Sequence, residues 1–506
     1  MNAITDFAAT IGLDWADQKH DLWLRPADGA KSEHLRVEQT PEALHEWVAK
    51  LGERFGRRRV AIGIETSRGP VISALLAYDF IVFFPINPKA LKDYRAAFAV
   101  SGAKDDRTDA MLLEEFVRLH RDKLRALEPD TPLTRKLGGL TENRRRLVDE
   151  RTRQVNQMHS VSKTYYPLAE TLLGGHMTTP MAADFLARWP DLAALQKADP
   201  KTLRAFFYKH NSRGAEKMEK RLAAAAKARP LTEDEAIIAP ARHLATALAA
   251  VLKALHHAIA AVDKDIAQTF DQHPDAALFR SLPGAGPALA PRLLVAFGTK
   301  RDRFASAAEV AQFYGIAPVV KQSGNTETIH MRSRCPKFGR QTFHENAGCA
   351  FKKEPWAKCY YDNQKGKPDG KHHKACRAVA YKLIRIYYAC WKHNSPYDGQ
   401  RHLQALEKHG SPLHAQLQTL SPKKVNNSQK IIDGITQNSP SETQSRPQLA
   451  WPGDVDTTGA EPSLSCHFLT RLEANSPLSA GGFSRFCFMG KRHETTHRPW
   501  LTIERV

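Results

Sequence analysis

Three short apolar runs fall within the first 90 residues: Ile11–Trp15, Val60–Ile64 and Phe80–Ile86. Each is too short for a buried helix and is bounded by polar or turn-forming residues, so each reads as a buried strand. The segments between them change period. Pro41–Phe55 (PEALHEWVAKLGERF) repeats its apolar residues every three to four positions behind an opening proline, and Ser67–Tyr78 reads as a second helix. Strands alternating with helices imply an α/β layer, to which Asp21–Arg25 and Glu33–Val37 add a hairpin. A third helix is predicted from about Thr108 to Arg121.

From about Thr131 to Thr269 the chain changes character. The segment RRRLVDERTRQVNQMHSVSKTYY and the Ala-rich Ile237–Ala267 both read as long helices with charged outer faces, which predicts an antiparallel, coiled-coil-like arm. Residues 278–299 set Pro-Gly-Ala-Gly between two apolar helical stretches, resembling a helix–hairpin–helix whose turn amides can face a phosphate. Beyond about Ser395 the composition shifts to Ser, Pro, Asn, Gln and Thr without periodicity, and reads as disordered. The resulting divisions are an α/β domain over 8–125, a helical arm over 126–272, a mainly helical domain over 273–398 and a low-complexity tail over 399–506.

Charge narrows the class of partner. The chain carries 74 Lys+Arg against 54 Asp+Glu, a net +20. Residues 401–506 hold 12 basic and 9 acidic residues, so nearly all of the surplus lies upstream. Such an excess favours polyanions, DNA or RNA above all. No run approaches the ~20 apolar residues of a membrane span; the best stretch, Val71–Ile86, is interrupted by Asp79 and Pro85, so no membrane partner is expected. The opening MNAITDFAAT lacks the basic region and apolar core of a secretory signal. Seven cysteines without a CxxC pair suggest neither a disulfide framework nor a zinc site. A cytoplasmic protein working on nucleic acid is expected.

Four carboxylates stand out. Asp14 interrupts an apolar strand, Glu65 ends the second main strand, and Asp106 and Asp109 sit three apart at a helix start, on one side of it. A single Asp or Glu is most often a solvated surface charge. On these elements and in this order, the four can converge on one point, where hard oxygen ligands suit Mg²⁺ and two ions can flank a displacement at phosphorus. Spacing alone leaves Asp105 as a competitor of Asp106.

These residues resemble the DEDD transposases of the insertion sequence 110 family, relatives of the Piv DNA invertase. IGLDW, GIET, the INP after the third strand and KDDRTDA match that family's first domain, and SLPGAG, RFASAAEVAQFYGIAP, QSG and MRSRCPKFGRQTF match its second. The resemblance covers roughly residues 8–398; the long middle region, Asn325 after the Ser-Gly and the tail depart from the family pattern. It implies a RuvC/RNase H-like catalytic domain followed by a mainly helical region and a transposase domain. It implies that Asp14, Glu65, Asp106 and Asp109 hold Mg²⁺, with Mn²⁺ as a substitute, and its motif selects Asp106 over Asp105. Ser323 takes the position of the family's nucleophilic serine. The family further implies recombination of element ends and target DNA under a guide (bridge) RNA. It also implies a homo-oligomer, dimer or tetramer, whose two catalytic parts can come from different protomers, in the bacterial cytoplasm at the nucleoid.

Two rival readings remain open at this stage: a metal-only RuvC-like junction nuclease with a merely structural Ser323, and a non-catalytic RNA/DNA-binding scaffold. A lone Ser-Gly pair is ordinarily a turn. The tracts Arg144–Arg146 with Arg151 and Arg153, and Lys365–Lys374, are candidate backbone contacts. Tyr165-Tyr166 and Tyr360-Tyr361 read as core residues before stacking platforms, and no Arg…HxxR…Tyr order supports a tyrosine recombinase.

Overall fold

The computed structural model describes residues 7–98, 105–324, 326–368 and 370–419. Strands β1 (Ala9–Asp14), β2 (Lys19–Pro26) and β3 (Glu33–Glu38) form an antiparallel meander. Helix α1 (Pro41–Phe55) leads to β4 (Val60–Ile64), and α2 (Pro70–Leu75) to β5 (Ile81–Pro85). The sheet order is β3-β2-β1-β4-β5, with β1, β4 and β5 parallel, giving the mixed α/β RuvC/RNase H-like layer that the alternation implies. The Thr40 hydroxyl caps α1 by accepting from the Ala43 amide at 3.2 Å, and Gly56 closes it with a left-handed φ of 59°. The buried stripe Leu44, Val48 and Leu51 then packs with Ile11, Leu13, Ile62 and Ile64 on one face of the sheet. The second helix is shorter than the predicted 67–78 because Gly69 and Pro70 set its start.

The other face is covered by α3 (Pro88–Phe98), which periodicity did not reveal, and α4 (Asp106–His120). Gly12 and Gly63 are register partners on that face. A Cβ on Gly12 would lie 1.8 Å from the Ala110 carbonyl oxygen, and one on Gly63 2.7 Å from that of Leu113. The glycine pair therefore lets α4 seat directly on the backbone of β1 and β4.

The arm is α5 (Pro132–Tyr165) against α11 (Glu235–Asp271). It is antiparallel: Thr134 near the start of α5 meets His273 just past the end of α11, and Arg144 pairs with Asp263. Between them, α6 (Pro167–Leu173), α7 (Pro180–Arg188), α8 (Leu192–Gln196), α9 (Pro200–Lys209) and α10 (Ala215–Lys227) build a subdomain around Tyr166, Phe185, Trp189, Phe206 and Phe207. Tyr165 and Tyr166 are core residues there; the Tyr165 hydroxyl donates to the Pro190 carbonyl at 2.6 Å. Among the described residues one helix, α11, is long and apolar enough by length and composition to cross a membrane, although Arg242, Lys253 and Asp263 interrupt its apolar run. Its alanines raise the mean hydropathy, and it packs along α5.

The C-terminal module contains α12 (Ala276–Ser281), α13 (Ala290–Phe297), α14 (Ala307–Phe313), a hairpin of β6 (Val319–Ser323) and β7 (Thr326–His330), α15 (Lys337–Lys353), α16 (Pro355–Lys365) and α17 (His372–Lys392). Phe279, Phe297, Phe304, Tyr314, Phe343 and Trp391 form its buried aromatic centre. The Pro-Gly turn packs into the module. Pro283 and Gly284 are buried, and the Pro283 carbonyl accepts from Asn346 and the Tyr387 hydroxyl.

The tail expected over 399–506 begins too early. Residues 399–419 form α18 (Gly399–Lys408) and α19 (Pro412–Thr419), with His402 buried against Trp356 and Leu413 buried as well. Asp398 caps the first of these helices, a signal that the Ser- and Gln-rich composition masked. The remainder of the expected tail, 420–506, lies outside the described residues.

Candidate active site

Side chains alternate along a strand. Thr10, Gly12 and Asp14 of β1 therefore face α4, as the 2.6 Å hydrogen bond from Thr10 to Glu114 confirms. On β4 the same face carries Ala61 and Gly63, and continues to Glu65. Leu13 pairs with Ile64 in the parallel register, so Asp14 and Glu65 stand side by side one step beyond, on strands roughly 4.8 Å apart. Both are half-buried.

Helix α4 runs antiparallel to β1: Glu114 lies by Thr10 and Ala110 by Gly12, which carries the first turn towards Asp14. That turn holds Asp106, exposed, and Asp109, 4% exposed. Asp105 is resolved from its neighbour by role. Its carboxylate accepts from the amide and hydroxyl of Thr108, making it the N-cap of α4, whereas Asp106 lies inside the turn. The helix N-terminus adds a partial positive charge at this edge.

Three neighbours escaped the sequence reading. Arg95 of α3 is ion-paired with Asp109, and its Nε is buried with no partner. Asp21, opposite Asp14 on β2, accepts from His34 Nε2 at 2.6 Å and Arg36 Nε at 3.0 Å. Burial alone would raise the Asp21 carboxyl, but the bonds from Arg36 and His34 outweigh it and hold it below its ordinary value. Glu114 is wholly buried and ties α4 to the sheet through Thr10 and Arg25. Opposite charges at matched positions of the hairpin gave a signal for Asp21; Arg95 became a neighbour only through a helix that was not foreseen.

Among the described residues, no group of three or more His, Cys, Asp or Glu side chains forms a ready metal cage. What the fold gathers is Asp14, Glu65 and the α4 turn at one sheet edge, with Asp109 held by Arg95. Their donors are all carboxylate oxygens, the type that Mg²⁺ takes, so the set fits the ion in kind.

Ser323 lies elsewhere. It is the last residue of β6, paired with Thr326 beside Gly324 at φ 55°, and it is exposed. The sequence reading set this serine in a mainly helical domain; the structure puts it on a β-hairpin. In the basic tract of α5, Arg144, Arg145 and Arg153 are ion-paired within the protein, with Asp263, with Asp149 and Glu345, and with Glu150.

An acid-lined RNase H-like sheet followed by a helical arm and a separate serine-bearing module is an architecture for processing nucleic-acid strands. Residues 11–167 match the family model of the DEDD transposase of IS110 elements, and residues 276–362 the one described as the transposase IS116/IS110/IS902 family. Both matches, in chain order, support an IS110 family transposase. Over 401 residues it is 27% identical to the mini-circle IS117 transposase candidate of Streptomyces coelicolor, covering 77% of this chain and 95% of that one. The uncharacterized 43.6 kDa protein of insertion element IS110 from the same organism is 26% identical over 78% of this chain and 96% of its own length. The uncharacterized 42 kDa protein of IS900 from Mycobacterium paratuberculosis is 26% identical over 76% and 96%.

Proposed function

We propose that this transposase cuts and rejoins DNA strands at element ends and target, with the sheet-edge carboxylates as metal ligands and the Ser323 hydroxyl as nucleophile. The observation that carries this reading is the meeting of Asp14, Glu65 and the first turn of α4 at one edge, enforced by the Gly12–Gly63 pair. Asp14, Glu65, Asp106 and Asp109 would hold Mg²⁺, or Mn²⁺ in its place. Bound there, the ion supplies counter-charge to the oxygens of the scissile phosphate. Ser323 Oγ forms a bond to phosphorus as the bond to the leaving deoxyribose oxygen breaks. The serine proton passes to solvent and the leaving oxygen takes one up. The phosphoserine ester retains the energy of the broken linkage until a second strand's hydroxyl displaces it, so strands exchange without net hydrolysis.

Exposed on a hairpin tip, Ser323 can be offered to the carboxylates of a second copy, and this reading includes a homo-oligomer. Ile237, Leu244 and Val251, seven residues apart on α11, form an exposed apolar stripe suited to a second helix. The net charge of +20 suits DNA together with a guide RNA, and a DNA substrate sets the work in the bacterial cytoplasm at the nucleoid.

The exposed turn position of Ser323 also favours a second reading, a metal-only nuclease in which the serine is structural. A suicide DNA substrate separates the two. Wild type is expected to leave a covalent protein–DNA adduct that survives denaturation, and Ser323→Ala none. Equal release of free ends by both, without an adduct, would establish the nuclease.

A further inference from the structure

The segment leaving the Ser323 hairpin enters a group of cations with no compensating acid. Arg332 lies two residues past β7, and its carbonyl accepts from Arg340 of α15 at 3.2 Å. Arg377 of α17 reaches across to the Met331 sulfur, only a weak acceptor. The Nε atoms of Arg332 and Arg377 are buried without a hydrogen-bond partner. His344, one turn after Arg340, completes the group. Burial, followed by Arg377, Arg340 and the exposed His373, drives its imidazole down to about 4, so it stays neutral beside them. Among the described residues, none of these arginines forms an ion pair with a carboxylate. The nearby Glu345 is already taken by Arg145, Arg292 and Gln341.

Half-buried guanidinium groups gathered without an acid carry an electrostatic cost that a bound anion offsets. Planar, multi-donor guanidinium groups suit phosphate oxygens. The hairpin sets the scale: from His330 at its base to Thr326 beside Ser323 is four residues, roughly 13 Å at strand rise. Successive phosphates of one DNA strand advance ~3.4 Å along the duplex axis, so a strand lying on the hairpin places several phosphates between base and tip.

We propose that Arg332, Arg340 and Arg377 form a phosphodiester site for a DNA strand, gripping a phosphate a few nucleotides from the one presented to Ser323. The site deepens the strand-transfer reading above and rests on it for the choice of DNA. It fixes the register of the strand at the hairpin; it is a positioning site, and no step of bond breaking is assigned to it.

The test is a salt titration of binding by fluorescence anisotropy, with the full chain and a labelled 30-base-pair DNA duplex, repeated with a single-stranded RNA of one strand's sequence. For R340Q/R377Q the slope of log K against log salt on DNA is expected to fall by about 1 to 2 relative to wild type. R340K/R377K, which keeps both charges, should recover most of it. Single R377Q should give about half the change, and it serves where the double variant melts early. An unchanged DNA slope in R377Q and the double variant overturns the site, as does a loss confined to RNA. Ser323→Ala should bind with the wild-type slope. A missing adduct in wild type would therefore remove the nucleophile while leaving this slope difference intact.

Discussion

The carboxylate edge and the serine hairpin stand at opposite ends of a range of structural determination. Asp14 sits at the end of a central strand flanked by two others, under a helix seated on glycine backbone, beside buried Asp21 and Asp109. Almost every atom around it has a structural reason to be there. Ser323 sits on a two-stranded ribbon whose residues are exposed nearly throughout, with Val320 and Ile329 forming an uncovered apolar pair. An isolated hairpin is marginal in water, so its working geometry has to come from what it meets. In the proposed chemistry the fold preorganises one half, and DNA or a second subunit would complete the other.

The largest expected effect breaks that comparison at its rigid end. Asp14→Asn or Asp106→Asn should lower strand cleavage by at least about a hundredfold, since each removes a ligand charge at the reacting phosphate. DNA binding should hold or tighten, because a negative charge has left a phosphate-facing edge. Asp105→Asn should be mild, since asparagine caps a helix about as well as aspartate. Cleavage and anisotropy assays on the three variants read the outcome. A null Asp105→Asn beside an active Asp106→Asn would move the ligand by one residue.

A smaller effect sharpens the contrast in stability. At Gly12 an added methyl meets the Ala110 carbonyl, backbone that cannot rotate away, so Gly12→Ala should cost roughly 3 kcal/mol. At the hairpin, Lys321→Ala should change stability by less than about 0.5 kcal/mol. Denaturant unfolding compares the two. An equal cost at both positions would mean that the hairpin is docked more firmly than its exposure indicates.

The same contrast explains what the sequence revealed. The sheet was legible because burial forces it into a period: β4 and β5 are continuous apolar runs, and Asp14 was conspicuous because a buried strand has no structural use for it. Spacing alone left Asp105 beside Asp106; the family motif chose Asp106, and the capping bond to Thr108 gives Asp105 its structural role. The ion pair of Arg95 with Asp109, and the group of Arg332, Arg340 and Arg377, join segments far apart in the chain, and no local pattern announces such meetings. The hairpin around Ser323 was hidden because neither of its faces is buried, so its residues follow no hydrophobic alternation.

The smallest effect separates the two ends of the molecule by acidity. His402 is buried against Trp356 with an unpartnered Nε2, and burial, followed by the Lys382 charge, lowers its imidazole to about 4; His344 is lowered similarly. A histidine whose folded value lies below its unfolded 6.5 binds its proton more readily in the unfolded chain. Its stabilising contribution is therefore complete above about pH 6.5 and fades as the pH falls towards 4. Asp21 runs later on the same axis. Its carboxyl is held below 3.8, so its contribution persists until the pH drops through that value. Hydrogen exchange, corrected for intrinsic rates, should show the amides of α16–α18 losing protection between pH 7 and 5 while β1 and β4 keep theirs. His402→Phe fills the same space without titrating and should flatten the change in α16–α18. Loss of protection in β1 and β4 first, or an unaltered pH response in His402→Phe, would show that the acid sensitivity of the C-terminal module has another source.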